Sequence, residues 1–314
     1  NSLQGIASEP ADSAPRTIAI EAGKDLTNSF IDYSDRLIET QNGAFSQAKI
    51  SIDNINVVTN QLANINAKLK SAGATTSAND LLDTRDLLLN DLAKELEFTT
   101  EYNDRGDVEL KLGSSGQGPI LVSGNDAFNL RAKVTSNADF RYSVETTVNS
   151  LSLFIVKGTS ETSTTQVTGG KLAGLVNFYA YVQEISSDID GLANRLASDF
   201  NNAQISGKDL DGEIGKSMFS IGIPDVNTAT VVNSNLNIIA EQISSEIKFP
   251  KEISYKYSSD GYWISDQDNS KNKGPLIEMK GFNIRISGSP SEGDIFTLKP
   301  KNSIASSLKF NLSN

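Results

Sequence analysis

The chain has 314 residues, 38% of them hydrophobic, a formal net charge of -11, and neither cysteine nor histidine. That inventory removes thiol nucleophiles, Ser-His-Asp triads, histidine acid-base chemistry and nearly every zinc, copper or haem site. With no strongly basic run there is no counterion-release drive toward nucleic acid, and no apolar run approaches the ~18 residues of a membrane span.

Residues 1–14 read as a short lead-in, with Leu3 and Ile6 as anchors and Pro10 as a breaker. A helix over 15–70 follows, with Asp12 or Ser13 as its cap and Pro15 in its first turn. Lys68, Lys70 and then Gly73 mark its end. At about 1.5 Å per residue it would run roughly 84 Å, which calls for an elongated setting. Ile55, Val58, Leu62, Ile65 and Leu69 recur at steps of three and four, the seam of a helix packed nearly parallel to another. A second stripe, Ile31, Ile38, Phe45 and Ile52, repeats every seven residues about 100° away from Phe30, Leu37, Ala44 and Ala48. It is a candidate helix or assembly face.

Past a linker at 72–76, Ser77 and Asp80 form a capping-box-like start to a helix over 77–96, with Leu82, Leu89, Leu92 and Leu96 on one face. Arg85 falls on that face, where it could anchor a carboxylate in a buried ion pair, but it is expected at the rim, stem packed and head in water. From Leu96 the period drops to two. A hairpin of FTTEY and VELKL, with Gly106 in its turn, precedes short strands at ILVSG, FNLRAKV, FRYSVET and LSLFIVKG. The intervening GSSGQG lacks the Lys-Ser/Thr of a phosphate loop and reads as a turn.

Helical period returns at Lys171. Leu172, Leu175, Tyr179, Val182, Ile189, Ala193, Leu196 and Phe200 keep heptad spacing, broken by Ser186, over about 35 residues. This helix is the expected antiparallel partner of 15–70, with 77–96 on the same core. The last third is strand-like and turn-rich, with alternation in EISYKYS and GFNIRIS. Trp263 is expected under one sheet face. Asp209, Asp211 and Glu213 suggest a calcium loop, but the glycine stands at position 4 and Ser220 at position 12, so a turn is expected. Ser306–Lys309 matches S-x-x-K without the companion motifs of that chemistry.

Taken in order, several motifs now line up: 79–86 (NDLLDTRD), 169–175 (GGKLAGL), Phe200-Asn201, 209–212 (DLDG) and 293–300 (GDIFTLKP). As a set they resemble the FlgK family, hook-associated protein 1, the junction protein between flagellar hook and filament; the similarity touches most of residues 1–300. Departures are Thr84, where the family often has Gln, and a last third smaller than the family's outer domain. The resemblance implies a non-catalytic axial building block with no cofactor and no metal, placed in a ring of subunits at the hook tip. It also implies extracellular placement through flagellar export without a cleaved signal peptide. Implied partners are copies of itself, hook protein, the next junction protein or flagellin, and an export chaperone acting through a C-terminal segment. Nucleic acid and membrane are not among them. Both terminal helical segments of the family are expected to lie outside this sequence, which opens on Asn1. The alternatives are another axial protein, flagellin or filament cap, which lacks the GDIFTLKP strand, and a secreted carboxylate-dependent glycan enzyme, which needs a separated acid pair that is not evident here.

The expected fold is α+β and multidomain: an elongated antiparallel long-helix bundle with discontinuous antiparallel β-rich domains. The expected division is 1–96 with 168–206 as the bundle, 97–167 as a small β unit and 207–314 as a β-rich outer domain.

Overall fold

The computed structural model describes residues 2–9, 12–72, 76–104, 106–141, 144–209, 211–229, 235–243, 252–299 and 303–312. Helix α1 spans Ser2–Ser8 and α2 spans Ser13–Ala72, 60 residues without interruption. The start of α2 is capped by Asp12, whose Oδ1 accepts the Ala14 N–H at 3.0 Å, and Pro15 sits in the first turn where no N–H is missed. Helix α3 spans Thr76–Glu95 and α4 spans Gly170–Ser206. Gly73, the side chain of Ser77 and the side chain of Leu3, all used in the sequence argument, lie outside the described residues.

Between α3 and α4 lie two sheets. The first has the order β1 (Phe98–Tyr102), β2 (Val108–Leu112), β3 (Ile120–Ser123), β4 (Asp126–Ala127). The β1–β2 hairpin pairs Phe98 with Leu112 and Tyr102 with Val108. GSSGQG is the β2–β3 connection, and a Cβ on Gly118 would lie 1.7 Å from the Leu112 carbonyl oxygen, so only glycine lets the loop return there. The second sheet is β5 (Asn129–Arg141), β6 (Val144–Lys157), β7 (Ser160–Thr164).

Here the sequence expectation needs correction. FRYSVET is not a strand of its own: Phe140 and Arg141 finish β5 and Val144 opens β6, with Tyr142 and Ser143 outside the described residues. Neither Gly nor Pro interrupts the run from Asn129, so the polar TSNAD stretch continues as strand under pairing with β6.

The last third carries β8 (Phe219–Ser220), β9 (Asp225–Ala229), β10 (Asn237–Gln242), β11 (Ile253–Tyr257), β12 (Trp263–Ser265), β13 (Lys271–Asn272), β14 (Leu276–Glu278), β15 (Phe282–Ser287), β16 (Ile295–Lys299) and β17 (Lys309–Phe310). They form a five-stranded sheet β13-β12-β11-β16-β9, a three-stranded sheet β10-β15-β14 and the pair β17-β8. Every strand pairing resolved there is antiparallel.

Contacts group the chain into two units. One holds Asn1–Leu37, Asn137–Val148 and Ile185–Asn314, and the other Ile38–Ser136 and Asn149–Glu184. Among the described residues of the second unit is a core in which Ala48, Ile52, Ile55 and Leu62 of α2 meet Leu89 and Leu92 of α3, Leu110 and Leu112 of β2, Leu130 of β5 and Leu172 of α4. Side chains as completely buried as Leu62, Leu92 and Leu110 contribute about 1.5–3 kcal/mol each. Among the described residues of the first unit are two clusters. One is aromatic and strand-built, around Trp263, Phe282 and Phe296; the other joins Phe30 of α2 and Ala193 and Ala197 of α4 to Phe219, Ile304 and Leu308.

Candidate functional site

The predicted packing residues can be placed unit by unit. In the second unit Ile55, Leu62, Ile65, Leu69, Leu89, Leu92, Leu172, Tyr179 and Val182 are buried, while Val58, Leu82 and Leu175 are half-buried. Ile55, Leu62, Leu89, Leu92 and Leu172 share the core, with Val58 and Leu175 packed against it; Ile65, Leu69, Tyr179 and Val182 are buried elsewhere. In the first unit Ile189, Leu196 and Phe200 are half-buried against the Phe30 cluster.

The seven-residue stripe is not a bare face. Ile52 is only 4% exposed and lies inside the second unit's core, so the chain covers that position itself. Ile31, Ile38 and Phe45 are half-buried. The apolar side chains that α2 does turn outward are others: Ile50 and Val57, seven residues apart, and farther back Ile18 and Tyr33.

The α2 seam carries polar residues that periodicity passes over, and these bind the helix to its neighbours. Asn66 is fully buried; its Nδ2 donates to the Val108 and Gly124 carbonyls, both at 2.8 Å, and its Oδ1 accepts the Val108 N–H at 2.9 Å. Asn56 brackets Leu130 in the same way, donating to its carbonyl at 3.0 Å and accepting its N–H at 2.8 Å. In each bracket a side-chain amide takes the place of a neighbouring strand, satisfying backbone groups that would otherwise be buried unpaired. In the first unit Asn201 of α4 does the same for Phe219, at 2.8 and 2.9 Å. Gln41 of α2 donates to Gln183 of α4 at 3.0 Å, and Ser51 donates to Glu95 of α3 at 2.5 Å. The only signal in the sequence is a polar residue on or beside a seam position, as with Asn56 next to Ile55 and Asn66 next to Ile65.

Arg85 corrects a second expectation. Its side chain is 11% exposed; Nη1 donates to the Gly106 carbonyl at 2.6 Å, Nη2 to Asp86 at 2.7 Å, and the guanidinium lies 4.8 Å from the centre of the Tyr102 ring. The head is therefore not in water. It holds the β1–β2 turn onto α3, because the fork of donors finds a carbonyl there and the tight Gly106 turn, at φ +82°, brings that carbonyl within reach.

Charge elsewhere is arranged in surface pairs. Glu161 on β7 accepts from Lys133 and Arg131 of β5, and the Lys133 hydrogen bond leads the causes that lower its pKa. Arg285 forks onto Glu241 and lowers that carboxyl. At 209–213 the Asp209 Oδ1 accepts the Asp211 and Glu213 N–H groups, each at 2.9 Å, and Gly212 takes φ +83°. One carboxylate is thus committed to its own turn; Leu210 lies outside the described residues. Among the described residues no group of three or more carboxylates converges. Trp263 is 1% exposed and stacked edge-on to Phe296, out of reach of a ligand. Pro300 of GDIFTLKP lies outside the described residues.

By class this is a multidomain α+β protein in which long helices carry antiparallel sheets through side-chain amide brackets. Comparison with known proteins narrows the class. The family described as "Flagellar hook-associated protein FlgK helical domain" matches residues 1–219. Flagellar hook-associated protein 1 of Salmonella typhimurium is 30% identical over 317 residues, covering 95% of this chain and 54% of that protein. The Bacillus subtilis protein of the same name is 22% identical over 238 residues, covering 70% of this chain and 46% of its own length. The flagellar hook junction protein FlgK from Burkholderia pseudomallei shares the fold, with a TM-score of 0.64 at 22% identity over 99% of this chain and 57% of that one. The chain belongs to the FlgK family. It spans about half the length of the relatives it matches.

Proposed function

We propose that this chain is a structural, non-catalytic part of the bacterial flagellum that joins hook to filament. The observation that carries the reading is the family match over 1–219, with relatives named as flagellar hook-associated proteins. The geometry supports it: buried Asn66 and half-buried Asn56 and Asn201 bracket helix to strand backbone, which suits a part that bears load. In this reading residues 1–96 with 168–206 form the helical layer, and 97–167 and 207–314 the β-rich layers. Copies of the protein form a ring at the hook tip, with hook protein on one side and the next junction protein or flagellin on the other. The site is extracellular, reached through flagellar export without a cleaved signal peptide and with a chaperone on a C-terminal segment; no described helix is long and apolar enough to cross a membrane.

Localisation tests this directly. A fluorescently tagged full-length protein, expressed in its own cells, is expected to give one focus at the base of each filament, and its deletion is expected to abolish filaments. Label spread along the filament would make it a flagellin, and label at the distal tip a cap; either result overturns the proposal.

A further inference from the structure

Residues 303–310 follow the first part of α2 in the opposite direction. Phe310 lies on Gly23, where an added Cβ would come within 2.4 Å of the ring, and Ser303 accepts a hydrogen bond from Ser34 at 3.0 Å. Gly23, Thr27, Phe30 and Ser34 share one helix face, and this stretch rises about 16 Å, a span that a short segment containing one 3-10 turn (Ala305–Ser307) covers. The same segment reaches α4: the Ser303 hydroxyl donates to Asp190 at 2.6 Å and the Ala305 N–H donates to the same oxygen at 2.8 Å. Ile304, Ala305 and Leu308 are buried with Phe30, Ala193 and Ala197. Beyond these contacts the segment is joined to 218–222, through the β17–β8 pair and the Gly222 N–H on the Ser307 hydroxyl at 2.7 Å. The strand-built core around Trp263 and Phe296 is a separate cluster.

We propose that residues 303–310 are a releasable strap. They hold residues 23–34 of α2 to α4, and they leave as one cooperative segment together with 218–222 while the Trp263 core stays folded. When the strap is off, Leu26 and Phe30 on α2 and Ala193 and Ala197 on α4 lose their cover, so the device switches a helix face between closed and open. Gly23 carries the cost of a helical glycine because the strap's ring must seat there. The proposal does not depend on the assembly reading, since it concerns opening within one unit.

Native-state hydrogen exchange of the 314-residue chain in low urea tests it, with Phe310→Ala as the variant. In the wild type, peptides covering 23–34, 218–222 and 303–310 are expected to share one opening equilibrium, weaker than that of 253–265 and 282–298. In Phe310→Ala the first three are expected to lose about tenfold or more of their protection, and the last two none. Equal loss across all five would show a single cooperative unit. Loss confined to 303–310, or no loss anywhere, would show that the segment holds nothing. Should the variant fail to fold, the wild-type pattern still decides: one weaker equilibrium shared by 23–34, 218–222 and 303–310 supports the strap, and one equilibrium across all five peptides, or separate ones for the first three, overturns it.

Discussion

Single residues decide how sheet and helix are joined. Asn66 is the clearest case, because replacing it with alanine strips partners from the Val108 N–H and C=O while leaving both buried. At about 1–3 kcal/mol for each unsatisfied group, Asn66→Ala is expected to lower unfolding free energy by about 2–4 kcal/mol, read as a shift in the urea midpoint. Asn66→Asp, which turns an acceptor toward the Val108 and Gly124 carbonyls and buries a carboxyl, should cost at least as much as alanine. Gly170 is the second case. It opens α4 at φ +79°, and a Cβ there would stand 2.6 Å from the Leu96 backbone. Gly170→Ala should cost about 2 kcal/mol or more, since left-handed strain alone is about 1–2 kcal/mol and the end of α3 must also shift. By contrast Gly174, in the same GGKLAGL motif, has nothing within 4 Å, and alanine there should be neutral or slightly stabilising.

At the scale of elements, the sheets of the middle and last third are tied across strands by exposed ion pairs. Glu161 is lowered from 4.5 chiefly by the Lys133 hydrogen bond and Glu241 from 4.5 chiefly by Arg285, while Asp268 is lowered from 3.8 chiefly by the Ser270 backbone N–H. A carboxyl whose folded pKa is depressed stabilises the fold above its unfolded pKa and loses that contribution as pH falls through the folded value. Stability should therefore hold down to about pH 4.5 and decline below it. Urea midpoints measured from about pH 6 to about pH 3 should show this, with Glu161→Gln flattening the acid limb. A midpoint unchanged across that range would mean that the pairs are screened to nothing. The long β5 and β6 strands also belong to this scale. They were legible at each end, in FNLRAKV and LSLFIVKG, but the polar middle hid the fact that they continue.

For the whole molecule, charge sets the behaviour in solution. At -11 like copies repel, and this opposes any pairing through outward apolar side chains such as Ile50 and Val57 of α2 or Phe178 and Tyr181 of α4. The 314-residue chain is expected to sediment as a monomer, or to associate weakly, at micromolar concentration and low salt. A stable ring or filament from this chain alone would sink that expectation.

What the sequence determined by itself was whatever depends on near neighbours or on inventory. The long helices α2, α3 and α4 follow from helical spacing such as that of Ile55 to Leu69, from the proline-free run after Pro15 and, for α2, from the Asp12 cap; the strands follow from alternation in VELKL, ISYKY and FNIRIS; the loss of cysteine and histidine chemistry follows from counting. The tertiary structure alone decided that Asn66 reaches Val108 across 42 positions, Asn56 reaches Leu130 across 74, and Ser34 reaches Ser303 across 269. It also decided that Arg85 turns its head inward to the Gly106 carbonyl and that Ile52 is covered by its own chain. Periodicity reports which side of an element faces inward, because that depends on residues a turn or a pleat apart. It carries no information about which backbone group will stand opposite a buried amide, since that partner is set by where distant segments meet.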